Sequence, residues 1–397
     1  MIDLVPVTIG RVALPQLAWA EGEQVSMPRD LLERTGLLRL VATDGTLNIP
    51  ASIDAADRAI VATDRAVVAT NREVVAPRLQ GCEVRDRAAF TDDPPASSRL
   101  PVSYQLVPGW ARALAASAHG RWQRRSMSRW ATFPRFPLDL SADVVADLER
   151  SAPVVRPATT PVLVSHDIDS PEGLRNLVEY FLPIEETAGA RSVNFIVPCA
   201  WPVDDGLVRE VQARGHEIGV HGFDHSNRTP FAEAGERARR LGAAWPFIER
   251  YGARGYRAPS LLRTRALLRG LPALYQYDSS IPTSGGLFPV PNNGCATARP
   301  FRIEGIAEIP VSMPRDGSLR FLGYSPAEIF AIWRTCASRI AKAGGVVMLL
   351  THCERRFSGT PEMLDAYRRF LAFVRESSGF ELRLTSEVAA AIAEVSS

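Results

Sequence analysis

Short apolar runs in the second half of the chain end at polar, chemically reactive residues. The runs stop at His166-Asp-Ile-Asp169, His221-Gly-Phe-Asp-His225, Arg257-Ala-Pro259, Asp278-Ser-Ser280 and His352. Segments with helical spacing of apolar residues alternate with these runs, as they do in βα units. In a parallel α/β barrel all strand C-termini face one mouth, and the active site is built there. The pattern therefore predicts a barrel with carboxylates and imidazoles collected at one mouth.

The other segments of this half fit the same architecture. We predict further strands over 191–198 and 306–311, and helices over 205–214, 231–251, 326–343 and 362–376. A last strand over 380–384 is expected to close the barrel. The segment 281–303 is rich in proline and asparagine and has no regular pattern. Because long irregular loops in compact domains are usually functional, we expect this segment to wall the mouth.

The first 150 residues are interpreted as a β-rich accessory region with one helical segment. A seven-residue repeat over 57–77 has the β-branched content of a small meander of short strands. Alanine, leucine and arginine at helical spacing predict a helix over 108–130. Prolines then mark a linker, since each proline disfavours helix in the residue before it. The predicted domains are the accessory region 1–150, the linker 151–161 and the barrel 162–397.

Composition narrows the classes of function. The 397 residues are 46% hydrophobic and 23% charged, with a formal net charge of +2. No basic run stands clear of acidic residues, so we expect no nucleic-acid partner. The single lysine, Lys342, is not part of a G-x-x-x-x-G-K-[ST] segment, which excludes a P-loop. No stretch approaches the roughly 18 apolar residues of a membrane span, so none is expected.

Cysteine usage and the N-terminus bear on the compartment. The five cysteines are widely spaced, odd in number and form no C-x-x-C pair, a pattern that suits reduced thiols. The chain begins Met-Ile-Asp-Leu, without a basic segment followed by an apolar core. We therefore expect a cytoplasmic protein, and we make no prediction of its oligomeric state.

The first strand end carries two carboxylates on one face. Residues at i and i+2 of a strand point together, so Ser165, Asp167 and Asp169 share a face and His166 points the other way. Two carboxylates side by side repel each other unless a cation or a proton lies between them. An Asp pair that caps the next helix is equally consistent with this spacing alone.

The second strand end carries a His-x-x-x-His pair, His221 and His225. Gly222 occupies the glutamate position of H-E-x-x-H, which disfavours a zincin protease. Two neutral imidazoles and one carboxylate can hold a divalent ion and leave positions open for water and substrate. Taken alone, the pair is also compatible with no metal role, because the motif is short.

The order of the motifs along the chain resembles a known family. Asp-x-Asp, His-x-x-x-His, Arg-x-Pro, Asp-Ser-Ser and Leu-x-His follow one another as in the polysaccharide deacetylases of the NodB-homology type, carbohydrate esterase family 4. The resemblance covers residues 160–390 approximately. It implies an α/β fold with a distorted (β/α) barrel that removes acetyl groups from sugars with a divalent metal. Ile168 separates the family's usual two adjacent aspartates, as in a more distant branch, and Gly222 replaces the usual Ser or Thr.

The resemblance implies a metal site at the first two motifs. Asp169, His221 and His225 look like the metal ligands of the family, and Zn²⁺ is the ion most often bound there. Because the aspartate motif is interrupted, the choice between Asp167 and Asp169 as the ligand stays open.

The remaining motifs look like the catalytic groups. Asp167 looks like the general base, and Arg257 resembles the arginine that orients this base. His352 looks like the general acid, and Asp278 resembles the carboxylate that supports the histidine.

The implied reaction is the hydrolysis of an acetamide on an N-acetylated sugar. Together with the expected compartment, this favours a glycan precursor in surface polysaccharide biosynthesis as the substrate. A small-molecule amide or cyclic-imide hydrolase on the same barrel is one alternative. A non-catalytic sugar-binding relative is another.

Overall fold

The structure is a computed structural model of the chain, and it describes residues 4–12, 21–22, 24–29, 32, 41–49, 94–99, 107–126, 158–283, 295 and 297–394. The predicted repeat over 57–77, most of the predicted linker and the centre of the predicted loop 281–303 lie outside the described residues.

Two sheets contain the described strands. The strands are β1 Leu4–Val12, β2 Gln24–Pro28, β3 Thr46–Ile49, β4 Thr160–Ile168, β5 Ser192–Ile196, β6 Glu217–Val220, β7 Gly255–Tyr256, β8 Tyr277–Asp278, β9 Phe301–Ile303, β10 Ile306–Glu308, β11 Val347–His352 and β12 Phe380–Leu382. The smaller sheet has the order β2-β1-β3, and the larger one has the order β11-β4-β5-β6-β7-β8-β10-β9 with β12 on β4.

Most of the described helices cover the outer face of the larger sheet. The helices are α1 Ala96–Arg99, α2 Gly109–Ser126, α3 Pro171–Asn176, α4 Leu182–Ala188, α5 Asp205–Ala213, α6 Ala234–Gly242, α7 Trp245–Tyr251, α8 Arg265–Gly270, α9 Asp316–Phe321, α10 Pro326–Lys342, α11 Pro361–Glu376 and α12 Thr385–Glu394. A π turn, Leu177–Phe181, joins α3 to α4. None of the described helices is long and apolar enough to cross a membrane.

The larger sheet is curled and parallel except for the antiparallel pair β9 and β10. Along β4, Val162, Val164 and Ile168 pack outward against the helices. Leu163 packs inward with a separate cluster, which includes Phe195, Tyr277 and Met348. This alternation places one apolar layer under the helices and another inside the barrel, and it confirms the predicted α/β barrel fold.

The segment after β10, rather than β12, closes the barrel. The Met313 backbone N–H donates to the Met348 carbonyl of β11 at 3.2 Å, and the Met348 N–H donates to Ser312 Oγ at 2.8 Å. β12 instead pairs with the first residues of β4, with Phe380 opposite Thr160. The expectation that 380–384 closes the barrel is wrong. β12 pairs with the first residues of β4, before the residues of β4 that pair with β5.

The helices predicted over 205–214, 326–343 and 362–376 are present as α5, α10 and α11. The last two begin at strong capping sequences: Ser325 and Glu328 form a capping box, and Thr360 caps α11. Such caps each stabilise the helix by about 1 kcal/mol. The predicted helix over 231–251 is two helices, α6 and α7, because Pro246 is tolerated in the first turn of a helix but not in its interior.

Helix α12 covers the end of the barrel opposite the mouth. Its residues Val388, Ala389 and Ile392 pack against the inner apolar cluster. Glu217, at the start of β6, accepts hydrogen bonds from the backbone and side chain of Ser386. Helix α12 therefore closes the barrel at the strand N-termini, and the mouth lies at the strand C-termini.

Two N-terminal helices contact the barrel. Helix α2, which confirms the helix predicted over 108–130, packs on α9 so closely that a Cβ on Gly120 would overlap the Phe321 carbonyl. In α1, Ser97 Oγ accepts a hydrogen bond of 3.2 Å from Asn227 Nδ2. The described strands of this region form the small sheet, and the domain boundary near residue 150 stays a prediction.

Close packing inside the barrel predicts that Gly255→Ala destabilises the fold. A Cβ on Gly255 would overlap the Tyr277 ring, whereas a Cβ on Gly235, in α6, would meet no atom within 4 Å. We expect Gly255→Ala to lower the free energy of unfolding by about 1–3 kcal/mol, the usual cost of overpacking. The matched control Gly235→Ala should leave it unchanged or raise it by up to ~1 kcal/mol. Urea unfolding followed by circular dichroism measures both, and equal effects of the two changes would contradict the packing.

Candidate active site

The C-terminal end of β4 brings two carboxylates into the barrel mouth. Ser165, on the inner face, donates from Oγ to the Leu349 carbonyl at 2.8 Å. Asp167 follows on the same face, and Asp169 lies just beyond the strand end. The alternation predicted from the sequence therefore directs both carboxylates to the mouth.

Arg257 fills the barrel interior beneath these carboxylates and is fully buried. Its Nη1 donates to Asp167 Oδ1 and to Ser165 Oγ, each at 3.0 Å. Its Nε and Nη2 donate to the carbonyl and the Oγ of Ser279 at 2.9 Å, and its guanidinium lies 4.1 Å from the centre of the Phe195 ring. With these partners the arginine has a single orientation, and it fixes Asp167 Oδ1.

The groups around Asp167 favour its ionised form. Burial acts to raise the pKa of this carboxyl, but its electrostatic interactions with His221, Arg257 and His352 outweigh the effect of burial, so the pKa is lowered. Asp167 Oδ2, the oxygen that Arg257 does not hold, lies 3.6 Å from His221 Nε2 and 4.0 Å from His352 Nε2. An ionised oxygen that faces two imidazoles at the mouth is suited to accept a proton.

Asp169, His221 and His225 bring their donor atoms together. Asp169 Oδ1 lies 3.5 Å from His221 Nε2 and 3.3 Å from His225 Nε2, and the three donor atoms lie within 4.8 Å of one another. His221 Nδ1 lies 3.0 Å from the Arg257 carbonyl, so the proton belongs on Nδ1 and the Nε2 lone pair faces the cluster. Burial also lowers the pKa of His221, which favours the neutral, ligand form.

The donor set fits a divalent metal. Asp169 Oδ1 is buried and lacks a hydrogen-bond partner among the described residues, which is costly for a carboxylate oxygen unless a cation is bound. Two imidazoles and one carboxylate are a ligand set of catalytic zinc sites. In the part of the chain that the structure describes, no other group of His, Cys, Asp and Glu residues converges in this way.

Backbone conformation at the second motif explains its glycine. Gly222 has a φ of 66°, and a Cβ there would overlap the Pro259 ring. The usual Ser or Thr is therefore excluded at this position by both conformation and space. His225 also lies in the left-handed region, with a φ of 56°, which is uncommon outside glycine and typical of functional turns.

His352 lies across the mouth from the two histidines, and Asp316 supports it. The Nδ1 of His352 lies 2.8 Å from Asp316 Oδ1, and the His352 backbone N–H donates to Asp316 Oδ2 at 2.8 Å. Ser358 Oγ donates to the same Oδ2 at 2.7 Å. Burial lowers the pKa of His352, but Asp316 outweighs it and raises the pKa to about 9. The pairing with Asp316 thus favours the imidazolium form.

Asp278, which the sequence suggested as the support of His352, is directed away from the mouth. It is paired in register with Tyr256, which packs in the outer core, so Asp278 also points outward. There Asp278 Oδ1 accepts from Ser280 Oγ at 2.6 Å and lies beside Glu308. Strand alternation explains the difference: Tyr277 and Ser279 face inward, and Asp278 between them cannot.

The sequence interpretation missed two carboxylates. Asp316 follows a proline and an arginine at the start of α9, and no motif marks it in the sequence. Glu354, two residues after His352, is buried and accepts from the backbone N–H of Asp169 at 3.2 Å and from Ser170 Oγ at 2.8 Å. Burial and the charge of Asp169 raise the pKa of Glu354 to about 7. Only the folded chain brings these residues to the site.

Other polar side chains next to these motifs lie on the outer face. His166 contacts Glu185 at 2.7 Å and Thr351 Oγ1 at 2.8 Å, and His216 lies 3.4 Å from the same glutamate. Cys353 is fully buried in the outer core. These side chains join the sheet to its helices and do not face the mouth.

Comparisons with known proteins find likeness only in three dimensions. No protein-family model matches the sequence, and no curated protein matches it. A Mycobacterium smegmatis protein assigned as a polysaccharide deacetylase is similar at 19% identity and a TM-score of 0.49, over 62% of this chain and 95% of that one. The PuuE allantoinase is similar at 15% identity and a TM-score of 0.46, over 65% and 97%. The chitin deacetylase of Colletotrichum lindemuthianum is similar at 14% identity and a TM-score of 0.40, over 60% and 91%.

These neighbours include polysaccharide and chitin deacetylases and an allantoinase, so likeness alone does not choose a substrate. The chemistry of this chain has to follow from its own residues.

The converging donor atoms predict that His221→Ala loses metal. With one of three ligands removed, we expect affinity for Zn²⁺ to fall by at least about 100-fold, because even the loss of an outer partner of a ligand costs 10- to 100-fold. Metal content after dialysis against a zinc buffer, measured by plasma mass spectrometry, tests this. The matched control is His119→Ala, on the exposed side of α2, which should retain the wild-type metal content. Full occupancy in His221→Ala would remove His221 from the ligand set.

Proposed function

We propose that the protein is a metal-dependent hydrolase that removes an acetyl group from an N-acetylated sugar, a precursor in surface polysaccharide biosynthesis. One observation carries the reaction class: the free oxygen of Asp167 lies 4.0 Å from His352 Nε2, beside a convergent metal-ligand set. The surroundings lower the pKa of the carboxyl and raise that of the imidazole. Pairs of groups whose pKa values are driven apart are the mark of acid and base assignments. The sugar itself comes from the resemblance of the motif order.

Asp167 is the general base in this proposal. Arg257 holds one of its oxygens, so the other is presented to a water in a fixed orientation. The lowered pKa keeps the carboxylate free of its own proton at neutral pH. A base acts at hydrogen-bond distance from the proton that it takes, and Oδ2 is the oxygen available for this.

His352 is the general acid. Asp316 fixes its ring through Nδ1, so Nε2 points into the mouth toward Asp167. The raised pKa keeps Nε2 protonated, ready to donate to the leaving nitrogen of an amide. An amine is a poor leaving group without a proton, so this donation is the step for which an acid is needed.

The metal would be held by Asp169, His221 and His225. When bound there, a divalent ion supplies Lewis acidity, which polarises a carbonyl oxygen and lowers the pKa of water. Glu354 positions the Asp169 backbone, and the Arg257 carbonyl orients His221. The chain thus holds ligand, base and acid by separate contacts.

A screen for acetate release tests the proposal. Purified, zinc-loaded protein is incubated with N-acetylated monosaccharides, sugar phosphates and chito-oligosaccharides, and in parallel with small linear amides and cyclic imides. Acetate release from a sugar arm supports the proposal. Turnover confined to the amide or imide arms assigns a small-molecule hydrolase, and no turnover in any arm by protein of full metal content would contradict hydrolysis.

The role of Asp167 predicts a loss of rate without a loss of metal. Asp167→Asn keeps an acceptor for Arg257 at Oδ1 but cannot take a proton, so kcat should fall by at least about 100-fold. The melting temperature should fall as well, because Arg257 loses a buried counter-charge. Asp169→Asn should lose both metal and rate. Metal content and kcat measured on both variants distinguish the base from the metal ligand. Loss of metal in Asp167→Asn but not in Asp169→Asn would exchange the roles of the two aspartates.

The pairing of His352 with Asp316 predicts the basic limb of the pH profile. The rate requires the imidazolium, so it falls as the pH rises through the pKa of His352. Asp316→Asn removes the neighbouring negative charge, lowers that pKa, and should move the limb to lower pH by about one unit or more. Asp278→Asn, a carboxylate on the outer face, is the matched control and should leave the limb in place. Profiles of kcat against pH for both variants test this. A limb that moves only in Asp278→Asn would favour Asp278 as the carboxylate that supports His352.

A further inference from the structure

Two arginines at the mouth have donor groups without hydrogen-bond partners among the described residues. Arg356 Nη2 lies 3.7 Å from Asp169 Oδ2, and its guanidinium lies 4.6 Å from the centre of the Phe357 ring. No described residue accepts a hydrogen bond from this guanidinium, and the side chain is 40% exposed. The arginine is therefore beside the metal ligands and accessible from the solvent.

The loop that carries Arg356 is rigidly held. The Phe357 and Gly359 N–H groups donate to the Glu354 carbonyl at 2.9 and 3.0 Å, and the Ser358 N–H donates to the His352 carbonyl at 3.1 Å. The Phe357 ring lies 4.6 Å from the His352 ring. The guanidinium is thus supported by the same structure that supports the acid.

Arg315 lies at the start of α9, next to Asp316, and is half-buried. Its Nε donates to Ser318 Oγ at 2.9 Å, and no described residue accepts from its Nη1 or Nη2. Burial lowers the pKa of Arg315, and the attraction of three carboxylates, Asp167, Asp316 and Asp169, acts in the opposite direction. Its charge therefore acts on the same carboxylates that build the site.

The charges at the mouth do not balance without an anion. Asp167, Asp169 and Asp316 are matched in number by the guanidinium groups of Arg257, Arg315 and Arg356. A dication held by Asp169, His221 and His225 would then leave the mouth positive, even with Glu354 ionised. A mouth of one sign attracts and holds ligands of the opposite sign.

We propose that Arg315 and Arg356 bind an anionic group, a phosphate or a carboxylate, that the substrate carries close to its acetamide. The inference rests on the proposed function and narrows its substrate to an acidic N-acetylated sugar. Guanidinium groups suit this role because their planar N–H forks match the oxygens of phosphate and carboxylate. Neutral N-acetylated sugars would reach the same base and acid but would leave both forks without an acceptor.

A binding experiment tests the anion site apart from catalysis. The full chain, stripped of metal so that no ion can bind the anion, is titrated by calorimetry with N-acetylglucosamine 1-phosphate, N-acetylmuramic acid, N-acetylglucosamine and inorganic phosphate. We expect at least one of the two acidic sugars to bind about 10-fold or more tighter than the neutral sugar, the scale of one or two charge-assisted hydrogen bonds. Comparison of the two acidic arms separates phosphate from carboxylate, and the inorganic arm shows whether the sugar contributes.

Arginine variants decide whether these residues carry the preference. Arg315→Gln and Arg356→Gln should each reduce the ratio of acidic to neutral affinity several-fold, and Arg356→Lys, which keeps the charge, should restore part of it. Arg368→Gln, on an exposed arginine of α11 that pairs with Asp365, is the matched control and should keep the ratio. Melting curves establish that each variant is folded.

Two results would overturn the anion site: equal binding of acidic and neutral sugars by the wild-type chain, or a preference that survives both glutamine substitutions. The outcome is separable from that of the proposed function. An arginine-dependent preference without acetate release supports the anion site and contradicts the hydrolase, whereas acetate release with no preference supports the hydrolase and contradicts the anion site.

Discussion

The buried ion pair of Arg257 and Asp167 is the interaction on which the mouth of the barrel depends. A guanidinium inside a barrel is costly unless all of its donors are paired, and here Ser165, Ser279 and Asp167 accept from it while Phe195 covers its face. The same residue offers its carbonyl to His221. One residue therefore orients Asp167 on one strand through its side chain and His221 on another through its backbone. A lysine could supply the charge but not this set of directed bonds.

Strand alternation decided which sequence interpretations agreed with the structure. The inward direction of Ser165, Asp167 and Asp169 could be predicted because β4 is long and its period is clear. The direction of the Asp278 side chain could not be predicted in this way, because β8 has only two residues, too few to show a period. Its position at a strand end alone suggested that it faces the mouth. The inward tyrosine next to it, Tyr277, was the available signal, since neighbours on a strand face opposite ways.

The supports of the site could not be predicted from sequence. Asp316 reaches His352 across 36 residues, and Glu354 reaches the backbone of Asp169 across 185. Neither contact follows from spacing within one element, because each depends on which helix and loop the barrel brings together at its mouth. Local patterns thus located the strands and the groups that they carry, whereas the contacts that tune those groups arise from tertiary packing.

Helix α9 connects the candidate site to the N-terminal region, because it contacts both. Its first residue holds the ring of His352, and its last residue lies under Gly120 of α2 with no room for even a methyl group. A bulkier residue at position 120 would have to push α9, and the displacement would be felt at an imidazole more than 200 positions away in the sequence. In a chimaera that exchanges the first 150 residues for those of another protein, the glycine would have to be carried over with the barrel. Helix α2 is in this sense a part of the support of the candidate site, through packing alone.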